Sequence, residues 1–438
     1  FCLALLLGSC SVRRNNASTR FYHNLTTRYN VYFHGKNAFD ETYNSFVASY
    51  SESYSRQIFL DPIEAQRGAL KEQKGGAFDP ALAKGQTAIK LHSIRTKPER
   101  KGRPSAREAE FYKRREYNTF LHNAWLLVGK SQFYNGDFLD AMATFSYMSR
   151  LYATEPAIRD EARLWQARSY TAMGWLHEAE EMIRTLQTDA AYLRKSQVYD
   201  KTLAEVALSK ERIDEAIEPL RRAIAKEESR TEKLRMRYLL GQLLVQSGRP
   251  GEAQRVFRSL LSKAPPFALE FATQLRLVEI EAERNVRRAI TTTEKMARRG
   301  RNKEVLDRLY LTQGDLYLRQ LDSLSALKSY NLGVEKSTEH GGDFALCAVA
   351  AGQIYLAKRD WDEAQKSFAT GVAALPKSHP KSEEYTTLSK QLDALALHVR
   401  AVAEQDSLRH LASLPEVEKF RIIDSAIAAY EKAQRERE

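Results

Sequence analysis

Nucleophiles and metal ligands come first, because they could carry chemistry. The 438-residue chain has three cysteines, Cys2, Cys10 and Cys347, and nine histidines. A cysteine can be acylated, oxidised, bridged or bound to a metal, and a histidine can carry a proton or a metal. The spacing supports little of this. No two cysteines have a reason to be bridged. His92 and His122 lie near a basic run, His177 in an inter-helix turn and His410 on a late helix, and none has ligand partners at helical spacing. There is no Gly-x4-Gly-Lys-Ser/Thr phosphate loop, no His-Glu-x2-His and no Gly-x-Ser-x-Gly. Carboxylates are frequent, but no pair stands out for acid–base work. These residues point away from an enzyme, and neither a cofactor nor a metal is expected.

Cys10 is the exception. It closes the apolar stretch FCLALLLGSC, which has no basic n-region and reads as the later part of a secretory signal. Leu7-Gly8-Ser9-Cys10 has the form of a bacterial lipobox, with small residues before the cut and Cys10 as the lipidated first residue of the mature chain. Acyl chains anchor by burying methylenes, each worth about 0.8 kcal/mol, so a di- or triacylated cysteine holds stably. The rival is an ordinary signal with a chance cysteine. Ser11 follows Cys10, and by similarity to bacterial lipoproteins a residue other than Asp there permits sorting to an outer membrane. Ser11 to Arg14 holds no acidic residue, which favours the periplasmic face.

The remaining residues describe a scaffold of helices. Glycine and proline are scarce, and hydrophobic residues at 43% suffice for a large core, so the expected class is all-α. Asn123 to Met148 reads as two short helices folded back on each other. Trp125, Val128 and Gln132-Phe133 share one face, Gly136-Asp137 breaks the helix, and Phe138, Ala141, Phe145 and Met148 restart the 3.6-residue pattern. The pattern recurs. Counting from Ala141, equivalent alanines stand at Ala179, Ala216, Ala253, Ala289, Ala326 and Ala364, in steps of 38, 37, 37, 36, 37 and 38. Twelve residues before each alanine stands Gly129, Ala167, Ala204, Gly241, Leu277, Gly314 or Gly352, small in every case but Leu277. The large and small positions of the first unit, Trp125, Gly129, Gly136, Ala141 and Phe145, match a tetratricopeptide repeat. The expected fold is an α-solenoid of about seven such helix pairs, with an N-terminal helical arm and C-terminal capping helices.

The expected divisions are residues 1–10, signal remnant and lipobox; 11–67, a polar tether and an aromatic-rich helix; 68–118, a basic and partly disordered linker; 119–378, the solenoid; and 379–438, further helices. In the second division Phe39, Tyr43, Phe46, Tyr50 and Tyr54 form one helical stripe, read as a docking seam, with the helix running toward Asp61-Pro62. Pro219 should kink its helix or shift its start. Lys84 to Arg115 carries eleven Lys/Arg against three Glu, an excess of eight out of a net charge of +12. Its few aromatics make no nucleic-acid platform, so the stretch reads as solvated, or as a contact for an acidic partner or anionic head groups. No internal run reaches the eighteen or so apolar residues of a membrane span.

Three stretches carry a family resemblance: TTRYNVYFHGKNAFDE (Thr26 to Glu41), KLHSIRTKPERKG (Lys90 to Gly102) and EYNTFLHNAWLLVGKSQFYNGDFLDAMATFSYMSRLY (Glu116 to Tyr152). They resemble the repeat-containing lipoproteins of the type IX secretion and gliding machinery, the PorW/SprE family, over roughly residues 1 to 380. The resemblance implies an outer-membrane lipoprotein, lipidated at Cys10 and facing the periplasm. Such a protein would link the machine's periplasmic ring to the outer-membrane translocon through protein contacts, in support of secretion and gliding. It implies no catalytic residue, no nucleic acid and no small-molecule substrate. The concave first-helix face is the expected place to grip partner segments. The alternative is a repeat-containing lipoprotein that binds glycans or other nutrients, but Trp125, Trp165, Trp175 and Trp361 all fall inside repeats rather than on a loop platform.

Overall fold

The computed structural model describes residues 11–50, 52–54, 56–62, 74–99, 102–189, 193, 196–377 and 379–435. Cys2 and Cys10 lie outside the described residues. Among those described, every regular element is helical. They form two compact units, Phe1–Arg276 and Leu277–Glu438.

The first unit opens with α1 (Ala17–Thr26), a π turn (Thr27–Val31) and α2 (Tyr32–Ser49), followed by α3 (Asp79–His92) and α4 (Ala106–Lys113). Four helix pairs come next, in chain order: α5 (His122–Asn135) with α6 (Phe138–Leu151), α7 (Pro156–Ala172) with α8 (Leu176–Asp189), α9 (Gln197–Ser209) with α10 (Ile213–Lys226), and α11 (Arg230–Gln246) with α12 (Pro250–Leu261). Helix α13 (Phe267–Ala282) carries the boundary between the units. The second unit continues with α14 (Val286–Ala297), the pair α15 (Leu306–Arg319) and α16 (Ser323–Lys336), the pair α17 (Gly342–Ala357) and α18 (Trp361–Ala374), and then α19 (Ser382–Ser413) and α20 (Glu416–Arg435).

These helices reproduce the seven predicted pairs, and the repeat alanines are all fully buried. Within each unit neighbouring pairs close on one another: α6 packs on α7 and α10 on α11 in the first unit, α16 on α17 in the second. This is an α-solenoid of tetratricopeptide-like pairs. Gly136 ends α5 with φ of 84° and joins it to α6 through a left-handed turn that suits glycine.

The twelve-residue rule needs one refinement. A side chain at Gly129 would meet the ring of Phe145 at 2.5 Å, at Gly241 the ring of Phe257 at 2.3 Å, and at Gly314 the ring of Tyr330 at 2.3 Å. The partner of the small residue is thus sixteen positions on, one helical turn past the alanine. The residues at that spacing are Phe145, Ile183, Leu220, Phe257, Thr293, Tyr330 and Phe368, all buried. Glycine stands opposite a ring, alanine opposite an aliphatic chain, and the one large first-helix residue, Leu277, opposite a small threonine. The apparent exception keeps the summed volume of the crossing near that of its neighbours, as close packing demands.

Three expectations for the N-terminal third are corrected. Residues 17–26, expected as tether, are helical: Asn16 caps α1 by accepting from the Thr19 amide at 2.8 Å, and Thr19, His23 and Thr27 are buried. The aromatic helix ends at Ser49 rather than near Asp61, so Tyr54 belongs to a non-helical stretch. The described part of 68–118, expected as a solvated linker, folds. Ala81, Ala88, Ile94 and Tyr117 are buried, and Glu116 gathers the loop by accepting from the Ile94 and Asn118 amides at 2.9 Å each. The basic side chains dominate the composition there, but the small apolar residues between them set the fold. The prolyl ring of Pro219 is tolerated within α10, whose start at Ile213 is not displaced.

Candidate protein-binding groove

The first helices of the pairs in the first unit, α5, α7, α9 and α11, present polar side chains from an otherwise apolar face. Arg168, Glu205, Glu232, Arg235 and Gln242 are all buried. Such groups remain buried only when hydrogen-bonded or paired. Arg168, Arg235 and Gln242 find partners in Glu52–Tyr54 and Arg56–Pro62, which follow α2 without strand pairing and, up to Asp61, without helix. Ile58 and Leu60 are buried at 2% and 3% exposure while Phe59 between them is 38% exposed, the alternation of an extended chain.

Helix α11 reads the backbone of this stretch. The Ile58 amide donates to Gln242 Oε1 at 3.1 Å, and Gln242 Nε2 donates to the Arg56 carbonyl at 2.8 Å. One glutamine side chain thus meets both polarities of a peptide. Tyr238 donates its hydroxyl to the Tyr54 carbonyl at 3.1 Å, and Arg276 Nη2 reaches the same carbonyl at 3.3 Å. Arg235 Nη2 donates to the Phe59 carbonyl at 3.2 Å. The Tyr54 ring stands edge-on to Tyr238 with centroids 5.2 Å apart.

Two arginines grip the acidic ends. Arg235 pairs with Glu52 and, at 3.1 Å, with Glu232. Arg168 pairs with Asp61 and Glu205, both at 3.0 Å, and lies 4.7 Å over the Trp165 ring. Burial alone would lower the Arg168 pKa, but Glu205, Tyr134 and Asp61 raise it above its usual value. Burial raises the Glu232 carboxyl, against the pull of Arg235. Burial likewise pushes the Tyr54 phenol up to about 12, with the Glu52 charge adding to it. Beside Asp61 the expected seam is present in part: Phe39 and Tyr43 meet Tyr134 at 5.7 and 5.2 Å, and Phe39 meets Phe78 at 5.1 Å.

The expected inward-facing first-helix residues are therefore in place, but they hold the chain's own segment. Sequence reasoning did not single out Arg168, Glu205 or Gln242. A signal existed: each directly follows the small residue of its helix, Ala167, Ala204 or Gly241, and Glu205 and Gln242 are polar within an apolar run. Lipidation at Cys10 falls outside the described residues. Cys347 is fully buried, with its thiol raised by burial and directed at the Asp307 carbonyl 3.4 Å away. Among the described residues no group of three or more His, Cys, Asp and Glu could hold a metal, and no helix is long and apolar enough to cross a membrane. Trp165 is buried, and Trp175, 44% exposed, stacks on Tyr170. Of the basic run, Lys97 and Arg107 join Arg13, Arg14 and Arg20 in lining a cleft of about 820 Å³ together with Glu99 and Glu108, and Arg20 lies 5.2 Å over the Phe111 ring.

Fold and groove together are those of a tetratricopeptide-like helix-pair protein. Among solved structures, the chain is similar to a tetratricopeptide repeat protein from Parabacteroides merdae, at 16% identity and a TM-score of 0.39 over 61% of this chain and 98% of that one. It is similar to a structure from the functional characterization of Pseudomonas aeruginosa pilF, at 17% identity and 0.32 over 62% and 97%. The P58(IPK) TPR domain aligns at 13% identity and 0.23 over 73% and 94%. No protein-family model matches the chain. No curated protein matches it.

Proposed function

We propose that the chain is a non-enzymatic scaffold lipoprotein of the type IX secretion machinery. Lipid on Cys10 fixes it to the outer membrane on the periplasmic side, and the helix pairs hold protein segments of the periplasmic ring and the outer-membrane translocon. Secretion and gliding then depend on it. The observation that supports a scaffold is the extended segment held through its backbone by Gln242, Tyr238, Arg235 and Arg276. The three stretches quoted above support the choice of machine, and the Arg-lined cleft suits anionic head groups beside a lipid anchor. Cross-linking in intact membranes, followed by pull-down, tests the reading. Ring and translocon components should be captured, and Cys10→Ala should leave folding intact but move the protein to the soluble fraction. Capture of neither component would overturn the assignment to this machine, and unchanged membrane retention would overturn the anchor.

A further inference from the structure

We infer that the first-helix groove of the first unit is a peptide-binding site whose ligand in this structure is the chain's own Glu52–Tyr54 and Arg56–Pro62, held in cis and displaceable. The class of ligand follows from the contacts. It is an extended peptide with an acidic residue for Arg235, an acidic residue nine positions later for Arg168, and an aliphatic pair spaced two apart between them, as Ile58 and Leu60 are. Its carbonyls are read by Tyr238, Gln242 and Arg235 without regard to side chain. The inference rests on the scaffold reading above and narrows it to one site.

Charge accounting argues for a ligand rather than a core. Without the segment, Arg168 keeps Glu205 and Arg235 keeps Glu232, two neutral pairs supplied by the helices alone. With it, each arginine serves two carboxylates. Glu232 Oε1 is buried there and accepts no hydrogen bond from the protein. The helices thus leave each arginine a carboxylate partner of their own when the segment is gone. Beside Glu52 and Arg235 lies a small void of about 90 Å³, lined also by Val47, Pro62 and Leu269.

An attached ligand competes at an effective concentration on the order of millimolar, so it weakens a micromolar free peptide roughly a thousandfold. The test uses the full chain and a labelled peptide ESYSRQIFLDP, the sequence of residues 52–62. Wild type should show no saturable binding. A variant with residues 52–62 replaced by a Gly/Ser stretch of equal length should keep its helical signal and bind the peptide, and Arg235→Ala in that background should weaken binding about tenfold or more. A helical variant that ignores the peptide overturns the inference. A variant that loses its helical signal does so too, since the stretch would then be core. Hydrogen exchange on the wild type is the independent measure: the Ile58 amide should exchange far faster than the amides of α11, and equal protection overturns displacement. Capture of membrane partners alongside failed peptide binding would sink this inference alone and leave the scaffold standing.

Discussion

The groove of the first unit and the last two helices of the second solve the same problem in opposite ways. In the groove, buried polar groups on α7 and α11 are satisfied by an extended piece of the same chain. On α19 only Tyr385, Ser389, Leu392 and Ala396 are buried, against α18, and from Leu397 onward the helix is largely exposed. On α20, Val417, Phe420, Ile427 and Tyr430 are 81%, 62%, 51% and 66% exposed. A helix pair cannot bury its apolar face alone, so each needs a neighbour. The groove shows an occupant recognised by its backbone and charges, whereas α19 and α20 show apolar surface with no neighbour among the described residues.

The comparison yields predictions of decreasing size. Arg168→Ala should cost about 3–5 kcal/mol, because it leaves Asp61 and Glu205 facing each other in a buried site. A loss below about 1 kcal/mol in urea unfolding would show that the groove is wetter than its burial indicates. Gly241→Ala should cost about 1–3 kcal/mol by forcing the Phe257 ring aside, with a matching fall in melting temperature. An unshifted melt would mean that the crossing yields. Glu52→Gln should cost about 1 kcal/mol by denaturant unfolding, since it weakens one buried hydrogen-bonded pair while Arg235 keeps Glu232. No loss at all would show that the Glu52 contact does not help hold the segment. On α20, Ile427→Ser should change stability by less than about 0.5 kcal/mol. A larger loss would reveal that this face is covered in solution.

A pH test separates the groove from the clasp that seats α1. His23 Nδ1 and His92 Nδ1 lie 2.8 Å apart, both rings are buried, and Asn118 donates to the His92 carbonyl at 3.0 Å. Burial and the neighbouring His23 hold His92 down at about 4, and burial lowers His23 as well. Well above pH 6.5 neither folded nor unfolded imidazoles are charged, so nothing changes. As pH falls from 6.5 toward 4 the unfolded chain takes up protons that the folded pair refuses, and stability falls. Glu232 in the groove works the other way, since its raised pKa makes the folded state the stronger proton binder just above the usual carboxylate range. His92→Gln should flatten the loss of melting temperature between pH 7 and pH 5, and an unchanged slope would remove the clasp as its source.

Much of the fold was legible because one rule repeats. The alanines of the seven pairs can be counted off the sequence, since a helix crossing needs a small residue at a fixed phase. The sixteen-residue partner was not seen, because Gly129 and Phe145 are matched by volume across space rather than by type along the chain. The N-terminal third was misjudged for a related reason. Basic side chains that end in solvent outnumber the alanines, Ile94 and Tyr117 that hold the stretch down, and composition counts both alike.

The sequence alone determined the all-helical class, the seven pairs and their register, because those depend on periodicities of a few residues that every repeat restates. Only the tertiary structure decided what lies in the groove. The contacts of Arg235 with Glu52, and of Gln242 with the backbone at Arg56, join residues more than 180 positions apart. A backbone carbonyl has no letter in the sequence, so a segment recognised through its main chain leaves no pattern to read until the helices that hold it are in place.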